Sequence, residues 1–427
     1  MPAHELASSA RPRTIITADW LWDGTGRPPV RDGAVAIAGD RIVAAGARHE
    51  LGPGAGQDAP VVAFPRATVL PGLIDAHVHL VWPGDGTPAW TYTQSSSDAE
   101  LLLRAAQNAR QALCAGVTTL RDVGSRARVV LDLRDAIQAG LMVGPRILAS
   151  GPPVTIRSGH MHYLGGEADN ADEIRAQIRT AWCSGVDFVK LVANGGGTPR
   201  THPWIPAYSP EEVAVAVAEA HSRQTYLTAH ANATEAIRSV VRAGGDGIEH
   251  CTFLQGPARV VFDEALAEEI ADKGVYVGHT LQAAYRSIER AQARWEELGP
   301  EERASVDIRR RTWEAQCENC ARLIRMGVNL VASTDAGWSL NPFGEYWLAM
   351  ELFVRAGGTA IQALTTGTRL AAEALRVADT IGALAPGKLA DLAIVDGNPT
   401  EQIEDLRRVR AVMRSGRMLV QDGRLLP

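Results

Sequence analysis

Between residues 72 and 336, short apolar runs alternate with longer stretches whose apolar residues recur at helical spacing. The runs are GLIDAHVHL (72–80), GVTTLRDV (116–123), RILAS (146–150), DFVKLVAN (187–194), TYLTAHA (225–231), GIEHC (247–251), GVYVGHT (274–280) and NLVASTDA (329–336). Separating stretches such as DAELLLRAAQNARQALCAG and SPEEVAVAVAEAHSRQ carry acidic residues at their starts, where a helix N-terminus favours negative charge. Strands alternating with helices predict a parallel sheet, and eight strands is the number that closes it into a barrel. The expected fold class is therefore α/β, a (β/α)8 TIM barrel.

The two ends read differently. From Thr14 to about Leu70 the runs are short, as in TIITADWLW and in AVAIAGDRIVAAG, where Gly39-Asp40 sits between two alternating apolar segments. Such a pair predicts a hairpin. ADLAIVDG, RAVMRSGRML and the closing DGRLLP repeat this strand-and-turn pattern. Residues 1–71 and 379–427 are thus expected to pair as one small β-sandwich, discontinuous in sequence, around a barrel of residues 72–378. The charged, helix-like stretch 281–326 is expected to be an insertion over the barrel mouth.

Composition narrows the function without naming it. The 427 residues include 43 basic and 49 acidic side chains, a net charge of -6, so nothing draws the chain to a phosphate backbone and no nucleic-acid partner is expected. Five scattered cysteines (114, 183, 251, 317 and 320) do not make a secreted disulfide framework. Met1–Arg13 lacks an apolar leader core, and no apolar run reaches the ~18 residues of a membrane span. A soluble, cytoplasmic protein is expected.

The histidines carry the chemistry. His77, His79, His230, His250 and His279 all fall at the C-terminal ends of predicted strands, where barrel active sites are built. Residues two apart on a strand face the same way, so His77 and His79 can reach one ion. Asp335, closing the eighth run, adds a carboxylate at the same mouth. Imidazole with carboxylate suits zinc, iron, manganese or nickel, and no matching cysteine set points to a structural thiolate site.

LPGLIDAHVHL (70–80), FVKLVANGG (188–196), AHA (229–231), GIEHCT (247–252), STDAG (333–337) and GALAPGKLADLAIVDGNP (382–399) together resemble the amidohydrolase superfamily, in its imidazolonepropionase-like and Xaa-Pro dipeptidase-like (prolidase-like) branch. The resemblance covers nearly the whole chain. It implies a distorted (β/α)8 barrel with a small β-sandwich built from both termini. It also implies two divalent metals, zinc first with manganese, cobalt or iron as alternatives. His77, His79 and Asp335 would hold one metal and His230 and His250 the other, with Lys190 carboxylated by carbon dioxide to bridge them. From the residues alone, Lys190 could equally be a lysine whose stem packs while its ammonium finds a partner.

The activity so implied is hydrolysis of an amide or peptide-type C–N bond in a dipeptide, an N-acyl amino acid or an aromatic amide, by water activated between the metals. Asp335 would act as base and then acid. Other readings are hydrolysis of a cyclic amide, carbamate or ester, a deaminase, or a silent dihydropyrimidinase-like scaffold. The segment 155–170 resembles the GHxH-x2-GG loop of dipeptidase-like members and makes His160 and His162 candidates for the scissile carbonyl or a substrate carboxylate. For each, a loop histidine bonded to backbone is the alternative. Tyr208 could bind a carboxylate or pack beside a helix capped by Ser209. Arg157 could clamp a carboxylate or lie solvated.

His279 is expected to support the metal site from behind. Glu249, preceding His250, is expected to point away from the barrel interior and to pair structurally. Trp82, Trp90, Trp204 and Trp338 follow strands and could line an apolar substrate pocket. Cys317 and Cys320 lack the strand–helix context of a redox pair. Gly195–Gly197 lacks the Lys-Ser/Thr end of a phosphate loop and is read as a loop bordering the mouth. A homo-oligomer is expected, since related barrels assemble.

Overall fold

The computed structural model describes residues 14–51 and 59–426, so the reading of Met1–Arg13 lies outside the described residues. The first four strands are β1 (Thr14–Leu21), β2 (Val30–Ala38), β3 (Arg41–Ala47) and β4 (Val61–Pro71). Gly39-Asp40 makes the turn between β2 and β3, which pair antiparallel from Gly33↔Ala47 to Ala38↔Arg41. From the other end come β14 (Leu392–Asp396), β15 (Val409–Arg414), β16 (Arg417–Gln421) and β17 (Arg424–Leu425).

These strands form one eight-stranded sheet in the order β17-β16-β15-β14-β4-β1-β2-β3. The two halves of the chain join where β14 pairs antiparallel with β4, from Leu392↔Pro71 to Asp396↔Ala67. Ile16, Val35, Ile42, Val69 and Ile394 are buried in its own apolar core. The sheet is mostly antiparallel, with β1 and β4 the parallel exception.

All eight central runs are strands: β5 (Leu73–Val78), β6 (Val117–Asp122), β7 (Arg146–Ala149), β8 (Val189–Val192), β9 (Leu227–Ala233), β10 (Gly247–Gly256), β12 (Tyr276–His279) and β13 (Leu330–Ala332). A short β11 (Arg259–Val260) folds back on β10. The eight lie in two parallel arcs, β5-β6-β7 and β8-β9-β10-β12-β13. Single parallel bridges, Val154↔Leu191 and Val78↔Ala336, join the arcs at both seams. The ring therefore closes in sequence order with two thin seams, which is the distortion of this (β/α)8 barrel.

The predicted helices begin where their caps place them. Ser97 and Glu100 form a reciprocal capping box ahead of Asp98–Cys114, and Ser209 and Glu212 do the same ahead of Pro210–Ser222. Each such cap satisfies free N–H groups and contributes about 1 kcal/mol. The 281–326 stretch is two helices, Leu281–Ala293 and Pro300–Arg325, joined by a short 3-10 turn. Trp313 ties them by donating to Leu281 O at 2.9 Å, and Asn319 reaches Thr252 O of β10 at 3.4 Å. Among the described residues no helix is long and apolar enough to cross a membrane.

Candidate metal centre

The strand ends converge on a cavity of about 250 Å³ lined by His77, His79, Lys190, His230, His250 and Asp335, with Trp82, His160 and Trp338 among its walls. His77 and His79, on β5 and just past it, stand with ring centroids 5.4 Å apart. Their Nε2 atoms lie 3.4 and 3.5 Å from Asp335 Oδ1, and the three residues form a group able to hold a cation. His250 continues the row at 5.0 Å from His77 and 4.7 Å from His230. His160 stands 4.7 Å beyond His230.

Each of four histidines has one ring nitrogen committed to the protein. His77 Nδ1 bonds Glu249 Oε2 at 2.8 Å, His79 Nδ1 faces Gly124 O at 3.4 Å, and His250 Nδ1 bonds Thr280 Oγ1 at 2.8 Å. His230 uses Nε2, against Gly195 O at 3.2 Å and Asn232 Nδ2 at 3.1 Å. This leaves His77 Nε2, His79 Nε2, His250 Nε2 and His230 Nδ1, the pattern that partners behind a metal site impose on its ligands.

Burial, reinforced by mutual repulsion and by Lys190, keeps these rings neutral. It lowers His77 to about 4 and holds His79, His230 and His250 well below the usual histidine range. A neutral ring keeps the lone pair a metal needs.

Lys190, on β8, is 2% exposed and its Nζ has no hydrogen-bond partner. Burial lowers its pKa to about 8. An unpaired buried ammonium is costly, so the residue sits in a place built for something other than a free cation. Asp335 has its carboxyl raised to about 8, chiefly by burial, against the pull of Lys190. Neutral imidazoles with one free nitrogen each, a carboxylate and an orphaned lysine at one mouth fit divalent metal.

The profile of the Amidohydrolase family matches residues 68–419. The chain belongs to the amidohydrolase family. Ochratoxinase of Aspergillus niger is 25% identical over 93% of this chain and 84% of its own length. Imidazolonepropionase of Mesorhizobium japonicum is 26% identical over 86% of this chain and 87% of its own. Among solved structures, a Xaa-Pro dipeptidase with methionine bound in its active site superposes with a TM-score of 0.81 at 27% identity, covering 95% of this chain and 99% of that one. The crystal structure of A. niger ochratoxinase gives 0.82 at 25% identity, covering 96% of each chain. As an amidohydrolase, the protein is a hydrolase of carbon–nitrogen bonds, of a family that generally uses divalent metal.

Behind the metal-facing atoms, this amidohydrolase has a buried charged layer that the strand pattern missed. Glu249 does not point away from the barrel interior. It is 1% exposed and bonds His77, Arg121 of β6 and Thr228 of β9. The reason is backbone: His250 has φ +74°, Cys251 +50° and Phe253 +58°, and the β9–β10 register slips after His250. Alternation fails at that kink, so Glu249 and His250 both face inward. Burial opposes the Glu249 charge, but Arg121 and His77 outweigh it and hold the carboxyl well below its usual range. Arg121 also donates to Ala76 O and lies over the Phe188 ring at 5.5 Å. Both residues are charges inside apolar strands, a signal in the sequence that could have found them.

The substrate candidates separate. His160 is 6% exposed, lines the cavity, and has its Nδ1 2.8 Å from Thr198 Oγ1. The other three candidates are turned elsewhere. His162 places Nδ1 2.9 Å from Gly159 O and is not a cavity wall. Tyr208 is buried and donates its hydroxyl to Ala168 O at 2.9 Å. Arg157 is exposed and paired with Asp169 and Glu173.

His279 packs against Phe353, ring centroids 5.1 Å apart, and neither ring nitrogen has a partner. Its neighbour Thr280 is the residue that touches a candidate ligand. Of the four tryptophans, Trp82 and Trp338 line the cavity, Trp204 stacks on His202, and Trp90 is 39% exposed. Cys317 and Cys320 are free thiols in the Pro300–Arg325 helix.

Proposed function

We propose that this amidohydrolase is a binuclear metal-dependent enzyme that hydrolyses an amide or peptide-type C–N bond in a dipeptide, an N-acyl amino acid or an aromatic amide. One observation carries the reading: four neutral histidines, each with a single free ring nitrogen, stand beside Asp335 and the unpaired Nζ of Lys190. His77, His79 and Asp335 would hold one ion, His230 and His250 the second, with carboxylated Lys190 between them. Zinc suits this set best, and manganese, cobalt and iron remain compatible with it. Bound there, the ions would lower the pKa of a shared water towards ~7 and polarise the substrate carbonyl.

The chain's own groups do the rest. Asp335 takes a proton from the attacking water and delivers it to the departing nitrogen. His160, held at Nδ1 beside Thr198, presents its remaining edge to the cavity, where it can donate to the carbonyl oxygen. Glu249 and Thr280 hold His77 and His250 in register, so that neither ring has to reorganise during turnover.

Metal analysis of protein purified without chelator, followed by assay on amides, tests the proposal. The expected result is about two equivalents per chain and hydrolysis that a chelator abolishes. Metal-free protein that neither takes up ions nor hydrolyses amides after reconstitution would overturn it.

A further inference from the structure

The cavity outside the metal-facing cluster is aromatic and uncharged. Trp82 lies behind His79 at a tilt of 33°, ring centroids 4.2 Å apart, and donates its Nε1 to Thr93 at 2.9 Å. Trp338 stands 5.5 Å from Trp82 at 60°, and edge-on to His160 at 5.9 Å. Met161, Pro203 and Leu254 complete the apolar walls.

The glycine run after β8 exists to admit these rings. A Cβ on Gly197 would lie 2.3 Å from Trp338 Cζ2, and one on Gly196 would lie 2.4 Å from His160 Cδ2. Backbone without side chains therefore forms the bed on which both rings rest.

No fixed cation faces this space. Among the described lining residues Lys190 is the one ammonium and there is no guanidinium, while Lys190 sits at the foot of the metal-facing cluster. Arg157 is neutralised outside by Asp169 and Glu173, and the Tyr208 hydroxyl is already spent on Ala168 O. The polar side chains of these walls are already engaged, His160 with Thr198 through Nδ1 and Asn232 with His230 through Nδ2. A carboxylate buried at the tryptophan end, away from the metal-facing cluster, would meet no ion-pair partner from the walls to offset its desolvation. An uncharged ring would instead gain apolar contact with Trp338 and the Met161, Pro203 and Leu254 walls. An engineered apolar cavity of ~150 Å³ takes benzene, so about 250 Å³ has room for one ring and the amide beside it.

Resting on the amide-hydrolase reading, we propose that the group flanking the scissile bond is a neutral flat ring seated on Trp338 with Trp82 behind it, and that the enzyme selects against substrates with a carboxylate at that position. In the reaction, the oxygen of water bonds to the acyl carbon, the C–N bond breaks, and the nitrogen leaves with a proton as the free amine beside the carboxylic acid.

The probes are N-benzoylglycinamide and N-(4-carboxybenzoyl)glycinamide, which share a ring and an amide and differ by one carboxylate on the ring; glycinamide release reports both. With zinc-loaded protein, kcat/KM is expected to favour the neutral probe by about tenfold or more, a difference of about 1.4 kcal/mol. Equal or better use of N-(4-carboxybenzoyl)glycinamide overturns the proposal. Replacing the ring by a methyl, in N-acetylglycinamide, should raise KM more than it lowers kcat, and Trp338→Ala should erase that ring preference. Gly197→Ala, which pushes the Trp338 ring aside without removing it, should do the same, so a poorly folding Trp338→Ala protein does not leave the question open. A ring preference that survives in folded Gly197→Ala protein counts against the seat.

Should the loaded protein hydrolyse neither probe, hydrolysis is the reading that fails, and calorimetric titration of both probes into that same protein decides this one. Tighter binding of the neutral probe, weakened by Gly197→Ala, supports it; equal or tighter binding of the anionic probe overturns it.

Discussion

Glu249 Oε2 lies 2.8 Å from His77 Nδ1, and its other oxygen takes Arg121 and Thr228. One carboxylate thus sets the tautomer of a candidate metal ligand while tying β10 to β5, β6 and β9 through the barrel interior. It precedes His250, so a single kinked strand end supplies both a ligand and the partner of another ligand.

Glu249→Gln keeps the shape and removes the charge. Metal affinity, measured by competition with a chelator, is expected to fall about 10- to 100-fold. Arg121 is left buried and uncompensated, so unfolding should also show a loss of about 3 kcal/mol or more. Unchanged metal affinity in folded Glu249→Gln protein would show that His77 needs no such partner.

Gly278 of β12 faces the same carboxylate. A Cβ there would lie 2.3 Å from Glu249 Oε2 and 2.9 Å from Ser333 Oγ. Gly278→Ala should destabilise the barrel by about 1–3 kcal/mol and weaken metal binding together with it, read by denaturant unfolding of the loaded and stripped protein.

Lys190→Ala removes the proposed bridge without touching the His77, His79 and Asp335 group. Metal content should drop from about two ions per chain towards one, with partial recovery of activity when a small carboxylate such as propionate is supplied. Two ions retained in the variant would exclude the bridge.

Asp335→Asn should cut kcat by about 10²- to 10⁴-fold, the range for loss of a positioned proton carrier, with a smaller fall in metal content. Near-normal turnover in fully loaded Asp335→Asn protein would remove Asp335 from the chemistry.

Arg157→Ala breaks exposed ion pairs to Asp169 and Glu173. KM and stability should both be little altered. A large rise in KM for carboxylate-bearing substrates would place Arg157 in the binding site after all.

The sequence by itself determined the eight barrel strands, the strand-and-turn character of the two ends, the helix starts at Ser97 and Ser209, and the positions of the five strand-end histidines, because each follows from local periodicity and turn chemistry. It placed Lys190 by resemblance; the structure adds that its Nζ is buried without a partner.

Only the tertiary structure decided which way side chains face where the backbone leaves its regular geometry. The left-handed φ at His250 brought its ring inward directly after an already inward Glu249, and the loop 155–170 closed on itself, sending His162 to Gly159 and leaving His160 at the cavity. Tyr208 and Arg157 were claimed by Ala168, Asp169 and Glu173, partners whose proximity comes from chain packing, which spacing does not encode. A strand's period tells which residues share a face, but a single residue at positive φ resets that count, and nothing in His250 as a residue type announces it.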